Sequence, residues 1–530
     1  MSTINPPSVT INKGGHMRTA LICIACVSVC LVAYAPCSAQ VGVWHQRVVR
    51  DNVNMRGAPV VLAEQTITVT EAGNVVVQFD GQCWSSPGDR IVLAASNTTF
   101  WYSNDGHTEF EAYDSDINIR SFSHTRVYPI SAGTHTYYAI GENYVETAGS
   151  GIASVYGSLT VKFFPDGVDV PLVSHTGIVV TDQNVRGGST VIAQKNITVG
   201  VSGNVLVRFD GACVSTPGDL IVMAASNTTS WGTNDGCTAV EAIDSDLNTT
   251  PFSHSRMYSI GPGSHDFYAV AQNYVETDGD GIASFYGSLT VEFFPTSGGN
   301  AFVQHAGVSK TNIDVRGAPV VMDSLIITPT ELGTAVVRYE GLCVSDVGDR
   351  IILAASDTRA WRSNDGNVAA EAVSADLEFN SFSHTRAYTI GAGSHTFYAV
   401  CENYVETGGS GIASNYASLS VEFFPGVVIG VGDERSMTAP FVLEQNYPNP
   451  FNPVTNIAFS VAVPGLVELR IYDVSGRPVR TLVRGWREAQ HYDVAWDGRN
   501  DFGIAVASGV YFYTLQAPGY VESKKMVLLK

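Results

Sequence analysis

A histidine and an arginine separated by one hydroxyl residue occur three times, at His124/Arg126, His254/Arg256 and His384/Arg386. A serine precedes each histidine, and a recurrent cysteine (Cys83, Cys213, Cys343) lies upstream of each. These residue types invite nucleophile–base chemistry, with Cys83 or Ser123 attacking and His124 or His135 as the base. The spacing opposes a Ser123–His124 pair, because neighbours on a strand point to opposite faces. No Gly-x-Ser-x-Gly elbow accompanies them. Cys83 follows a strand pattern and reads more simply as a small buried residue. No catalytic residue is assigned, and a secreted hydrolase with an unrecognised site is the remaining enzymatic alternative.

A second constellation suits binding. Trp101, Asn104, Asp105, Arg126 and Tyr144 recur as Trp231, Asn234, Asp235, Arg256 and Tyr274, and again as Trp361, Asn364, Asp365, Arg386 and Tyr404. Aromatic faces stack on sugar rings or anchor protein interfaces, while amides and carboxylates bond hydroxyls. The competing reading has the tryptophan capping a core and Asn-Asp-Gly serving only as a turn. A third constellation, Asp114 with Asp116 and Asp244 with Asp246, offers hard oxygen ligands for calcium. The third copy has Ser374 in place of the first aspartate, and the D-x-D-x-D-G loop pattern is absent. No cofactor is therefore expected, with calcium as the alternative. Two cysteines break the pattern: Cys237 replaces His107 and Asn367, and Cys401 replaces Gly141 and Ala271. Each pairs in principle with its own copy's recurrent cysteine, as Cys213–Cys237 and Cys343–Cys401. Five cysteines lie beyond the leader, so the set cannot close completely into disulfides.

The elements that must carry these residues repeat at 130 residues, without a gap. The Cys, Trp, His-x-Arg and Asn-Tyr-Val-Glu-Thr positions all keep this register, so the unit is a domain and not a solenoid turn. Within the first copy Val75, Val77 and Phe79 alternate with Val76, Gln78 and Asp80, and Leu159, Val161 and Phe163 alternate likewise. This is the period of strands with one buried face. Glycine-rich turns separate about eight such strands per copy, and no helix pattern stands out. The expected fold is all-β: three tandem jelly-roll-like β-sandwiches at 45–165, 175–295 and 305–425, arranged as beads on short linkers (166–174 and 296–304). The closing strands of each copy, around Gly133–Phe164 in the first, loosely resemble those of complement-type and tumour-necrosis-factor-like jelly rolls. That resemblance implies fold alone.

The 530-residue chain has a net charge of −20, which excludes a general nucleic-acid or anionic-membrane binder. Residues 1–39 read as a secretory leader: Met17-Arg18, an apolar run, then Cys37-Ser38-Ala39 before Gln40. The sixteen residues before Met17 read as an over-long start. A lipoprotein site at Cys37 and a retained anchor are the alternatives.

After a linker at 426–440 the pattern changes. LEQNYPNPFNP (443–453), IYDVSGRPVRTLV (471–483), WDGRNDFG (496–503), VASGVYFY (506–513) and KMVLLK (525–530) follow in order. Residues 441–530 resemble the type A C-terminal sorting domain of the type IX secretion system. The segment EAQH (488–491) is one residue shorter than the family's usual turn. The resemblance implies an immunoglobulin-like sandwich, export through type IX machinery, and release or surface attachment of the cargo. The alternation of Ile457, Phe459 and Val461 agrees with such a sandwich. The expectation is thus a secreted or outer-surface, non-catalytic binding or adhesion protein, with carbohydrate or a surface protein as partner. A structural, self-associating subunit is the alternative.

Overall fold

In a computed structural model, the described residues run from 41 to 529, apart from short segments at 102–106, 112–117, 147–148, 168–169, 232–235, 243–247, 277–278, 297–300, 362–366, 372–377, 407–408, 427–441, 461–464, 488–490 and 518–519 and residues 444, 447 and 502. The leader, the 426–440 linker and the shortened 488–490 turn therefore fall almost wholly outside the description. Every regular element among the described residues is a strand, and no helix there is long and apolar enough to cross a membrane.

The first copy has eight strands: β1 (Gly42–Asn54), β2 (Val60–Val69), β3 (Gly73–Ser85), β4 (Asp89–Ser96), β5 (Thr108–Glu111), β6 (Asn118–Ile130), β7 (Gly133–Glu146) and β8 (Ile152–Pro165). They form two antiparallel sheets, ordered β1-β8-β3-β6 and β2-β7-β4-β5. This is jelly-roll connectivity, and the other two copies repeat it strand for strand. Their first strands begin at Leu172 and Phe302, three residues earlier than the expected boundaries. The inward residues of β3, Val75, Val77, Phe79 and Cys83, meet Leu93, Tyr137 and Ala139 of the facing sheet. Both outer strands are bulged, at Arg50/Val53 in β1 and Val61/Ala63 in β2. Bulges of this kind blunt open sheet edges.

The copies are not beads. The outward face of β3, which alternation assigns to solvent, is buried at Val76, Gln78, Asp80 and Gln82 and half-buried at its ends, Asn74 and Trp84. Val76, Phe164, Leu206, Phe294, Val336 and Phe424 form one apolar cluster contributed by all three repeats. The three phenylalanines meet pairwise with centroids 6.0–6.3 Å apart. Because they occupy the same position in successive repeats, the contact defines a pseudo-threefold axis within a single chain. Beside them Lys162 Nζ lies 2.5 Å from Glu292 Oε2 and 2.7 Å from Glu422 Oε2. These three residues are also positional equivalents.

The seams run in one direction around the ring. Thr125 Oγ1 of the first repeat donates to Asp210 of the second at 2.5 Å, and Ser123 Oγ does so at 3.1 Å. Ser255 Oγ of the second repeat donates to Glu340 of the third at 2.5 Å. At the third seam the Thr385 hydroxyl bonds Asp80 of the first repeat, the amide of Ser383 donates to Ser121 Oγ at 3.0 Å, and Arg338 donates to Gln78. Each repeat thus offers a hydroxyl-bearing strand to one neighbour and a carboxylate or amide to the other. That is a closed, head-to-tail cyclic arrangement.

Residues 442–528 form a separate sandwich. One sheet holds Val442–Leu443, Thr455–Ser460 and His491–Trp496. The other holds Gly465–Asp473, Pro478–Arg487, Gly509–Ala517 and Tyr520–Leu528. The proline-rich stretch lies between the first two strands, where absent N–H groups interrupt no ladder. It is tied down at Asn446, whose amide donates to Tyr513 Oη at 2.9 Å, and at Phe451, which packs on Trp496.

Removing the Lys162 ammonium leaves two buried carboxylates, Glu292 and Glu422, sharing Arg208 alone. Lys162→Met is expected to lower stability by about 3–5 kcal/mol. The check is the denaturant midpoint of the mature chain against wild type.

Candidate functional site

The repeated tryptophans sit at the rims of the seams. Trp101 follows β4 and is half-buried. Its Nε1–H donates to the Glu142 carboxylate on β7. Tyr144, two residues along the same strand and 59% exposed, stands edge-on to the Trp101 ring at 5.5 Å. On its other side Trp101 meets His107 at 4.8 Å, and His107 stacks on Tyr286 of the second repeat at 5.6 Å. An aromatic row, Tyr144–Trp101–His107–Tyr286, therefore crosses from one repeat to the next.

The second seam repeats the start of the row with its third member changed, and the third seam repeats its tryptophan. Trp231 Nε1–H donates to Gln272 Oε1 at 3.2 Å, and its ring lies 6.2 Å from Tyr274, which is 60% exposed. Here Cys237 replaces the histidine and packs with Trp231, Leu342, Val344 and Tyr416 of the next repeat. Trp361 donates to Glu402 and packs near Trp84 and Ile119 of the first repeat. Asn367 holds the variable position there. The side chain of Tyr404 lies outside the description, as do Asn104, Asp105, Asn234, Asp235, Asn364 and Asp365. The tryptophan is thus the fixed inner wall of a rim and not a free platform, while Tyr144 and Tyr274 beside the first two are open to solvent.

The arginines lie at the inner end of these rows, where Arg386 shares a cavity with Asn367 and Tyr156, the third-seam counterparts of His107 and Tyr286. Arg386 lines the third seam with His45, Asp80, Tyr156 and His384. Arg126 and Arg256 hold the equivalent places against His175 and His305. Burial, followed by the nearby Arg386, pulls the His45 imidazole down to about 3. Burial followed by Arg126 does the same to His175, and burial with Arg256 takes His254 to about 3 and His305 to about 4. His124, His254 and His384 each accept a backbone N–H at Nδ1, from Ala95, Ala225 and Ala355, at 2.9 Å. Each ties the two sheets of its own repeat together.

The candidates for catalysis stay apart. Cys83 lies in the repeat core, where burial raises its thiol. Ser123 donates across the seam to Asp210. His135 bonds the Ser131 carbonyl through Nε2 at 2.9 Å. The calcium candidates Asp114, Asp116, Asp244 and Asp246 lie outside the described residues, among which no cluster of metal-ligating side chains occurs. All five cysteines of the described region are free thiols, so neither proposed disulfide is present. Cys213 faces the core of its repeat while Cys237 faces the seam. Cys343 and Cys401 come from facing sheets and share one core, where burial and then the nearby Cys401 raise the Cys343 thiol, yet they remain unbonded.

Other recurrent polar residues have local work. Asp89 Oδ1 accepts from Asn143 Nδ2 at 2.7 Å and from the amide of Gly151 at 2.7 Å. Gly151 has φ of 68°, a left-handed conformation that glycine adopts without a Cβ clash. The Pro-Gly-Asp, Asn-Tyr and Gly-x-Gly motifs are therefore parts of one loop clasp, repeated at Asp219 and Asp349. Reasoning from the sequence missed the axial set (Lys162, Glu292, Glu422, Arg208, Glu340). The available signal was a polar residue inside a run apolar on both faces, as in Val161-Lys162-Phe163-Phe164.

Residues 455–519 match the FlgD Ig-like domain family. No curated protein matches the sequence. Among solved structures, PorZ, described as an essential bacterial surface component of the type IX secretion system of Porphyromonas gingivalis, shows 22% identity. The likeness covers 21% of this chain and 14% of PorZ, with a TM-score of 0.14. Dimeric latent PorU from the same organism shows 15% identity over 68% of this chain and 34% of PorU, with a TM-score of 0.15.

The seam histidines set a pH dependence. Their folded pKa values lie below the ordinary 6.5, so their contribution is complete above that pH and is lost as pH falls toward 3–4. Asp80 is opposite in sign: burial raises it to about 7, so its contribution is present at low pH and lost as pH rises through 7. Urea midpoints of the mature chain are expected to fall from pH 6.5 to 4, because the four histidines outweigh the opposing gain at Asp80, and to level off above pH 7 once Asp80 has ionised. A midpoint that stays flat between pH 6.5 and 4 would contradict the burial of these imidazoles.

Proposed function

We propose that this is an exported, non-catalytic binding protein of the cell surface or extracellular space. Its three jelly rolls act as one trivalent head, and residues 441–530 act as the address read by type IX secretion machinery. The observation that carries the binding reading is the rim shared by the first two seams: an open tyrosine, Tyr144 or Tyr274, beside a tryptophan whose N–H is fixed by a carboxylate or amide. Such a corner suits the apolar face of a sugar ring, with the Glu142 or Glu402 carboxylate available to hydroxyls. Surface carbohydrate is therefore the preferred ligand class. The variable third member, His107, Cys237 or Asn367, makes the three rims related without being identical. Three weak sites on one rigid body gain by avidity.

The address reading rests on the five ordered sequence blocks of 441–530 and on the immunoglobulin-like domain that carries them. Self-association is not required, because the faces through which repeats associate are already occupied inside the ring.

Two experiments test the proposal. On a glycan array the mature chain is expected to bind a defined set of surface glycans. Tyr144→Ala with Tyr274→Ala should lower apparent affinity by about 10²-fold or more while leaving the thermal midpoint unchanged. Undiminished binding by that double variant would reject the rims. Deleting 441–530 in a bacterium with the type IX system should leave the head in the periplasm. Recovery of the truncated chain outside the cell would reject the address.

A further inference from the structure

The axial Lys162–Glu292–Glu422 triad is arranged for more than an ion pair. Lys162 is fully buried, and both carboxylates are 1% exposed. Lys162 Nζ stands 2.5 Å from Glu292 Oε2, closer than a relaxed surface pair requires, and 2.7 Å from Glu422 Oε2. The other oxygen of Glu292, Oε1, faces Arg208 Nη1 at 3.3 Å, while Glu422 Oε1 is 3.8 Å from Arg208 Nη2. Phe164, Phe294 and Phe424 close the same region to water. An amine, a carboxyl carbon, a cation on the carbonyl oxygen and a second carboxylate for proton transfer thus occupy one dry site.

We propose that Lys162 and Glu292 condense to an isopeptide bond that joins the first repeat to the second. In the reaction Glu422 takes a proton from the Lys162 ammonium and passes it to Glu292 Oε2. The free amine attacks Glu292 Cδ, and Arg208 stabilises the negative charge that develops on Oε1. A second proton leaves nitrogen through Glu422 and reaches the departing hydroxyl. The Nζ–Cδ bond forms as the Cδ–Oε2 bond breaks. One ammonium and one carboxylate become one secondary amide and one water, with Glu422 regenerated, so no oxidant or external reactant is needed.

Holding amine and carboxyl in contact supplies the effective concentration that two free side chains lack. The excess of carboxylates helps as well: Asp80, Asp210, Glu340, Glu292 and Glu422 outnumber Lys162, Arg208 and Arg338 in the buried axial region. Burial and the adjacent Glu422 raise the Glu292 carboxyl, which favours the protonated form that the attack requires. Glu292 is the electrophile because it is nearer both to the amine and to Arg208. Glu422 is a proton carrier in contact with the reacting atoms.

The test is mass spectrometry of the purified, denatured full-length secreted chain. The expected result is an intact mass lower than the sequence mass by one water. Digestion should yield one branched peptide joining Lys162 to Glu292, with no tryptic cleavage after Lys162. Glu422→Gln should fold but accumulate mostly the unlinked form, giving the full mass and normal cleavage after Lys162. A wild-type chain of full mass with Lys162 cleaved by trypsin overturns the proposal. A branch from Lys162 to Glu422 overturns the assignment of roles. Equal linkage in wild type and Glu422→Gln overturns the part given to Glu422.

Discussion

Everything in the head depends on burying charge where three copies of one domain converge. A position on a threefold axis meets its own equivalents. Three identical lysines there would repel, and so would three glutamates. Fusion into one chain lets the equivalents differ, as Lys162, Glu292 and Glu422 do, and as Gln78, Arg208 and Arg338 do. Buried ion pairs contribute little net stability over an apolar substitute, but a missing partner is costly. In this head the charges therefore specify which repeat stands beside which, while the Phe164–Phe294–Phe424 cluster supplies apolar burial. Burial first, and neighbouring carboxylates second, raise the carboxyls of Asp80, Asp210 and Glu292.

The rims follow from the same geometry. A jelly roll alone has a tryptophan near the end of one sheet and a tyrosine next to it. Only when the neighbouring repeat docks does Tyr286 close the row beyond His107. The binding surface proposed for the head is thus a product of assembly, and each rim belongs to two repeats. Divergence at residues 107, 237 and 367 falls where the repeats meet, so the same ring closure that removes symmetry at the axis also makes the outer sites unequal.

Much of the fold was legible in the sequence. Period-two patterning with glycine turns gave eight strands per copy, and the 130-residue register gave three equal domains. The ordered C-terminal blocks gave the immunoglobulin-like sandwich. The ring was hidden for a physical reason. Gln78, Asp80 and Lys162 occupy strand faces where polar residues ordinarily meet water, and their partners lie in other copies, which local periodicity cannot reveal. The same blindness put Arg126 directly with Trp101, because both recur, although the arginine stands against a seam histidine at the inner end of the row and the tryptophan at its outer end. It also paired Cys213 with Cys237, since sequence spacing does not show that one thiol faces a core and the other a neighbour.

The direction of the seams has a kinetic meaning. The first two join repeats adjacent in the chain, so each can form once its two domains exist. The third joins Ser383 to Ser121 and Arg338 to Gln78, contacts that span two whole domains of sequence. Loop-closure entropy grows only slowly with length, so this last contact is cheap to hold but cannot form before the third repeat is complete. A chain threaded outward from its N-terminus would therefore expose an unmatched Asp80 strand until the final domain arrives. The head behaves as a clasp whose hook is made first and whose eye is made last.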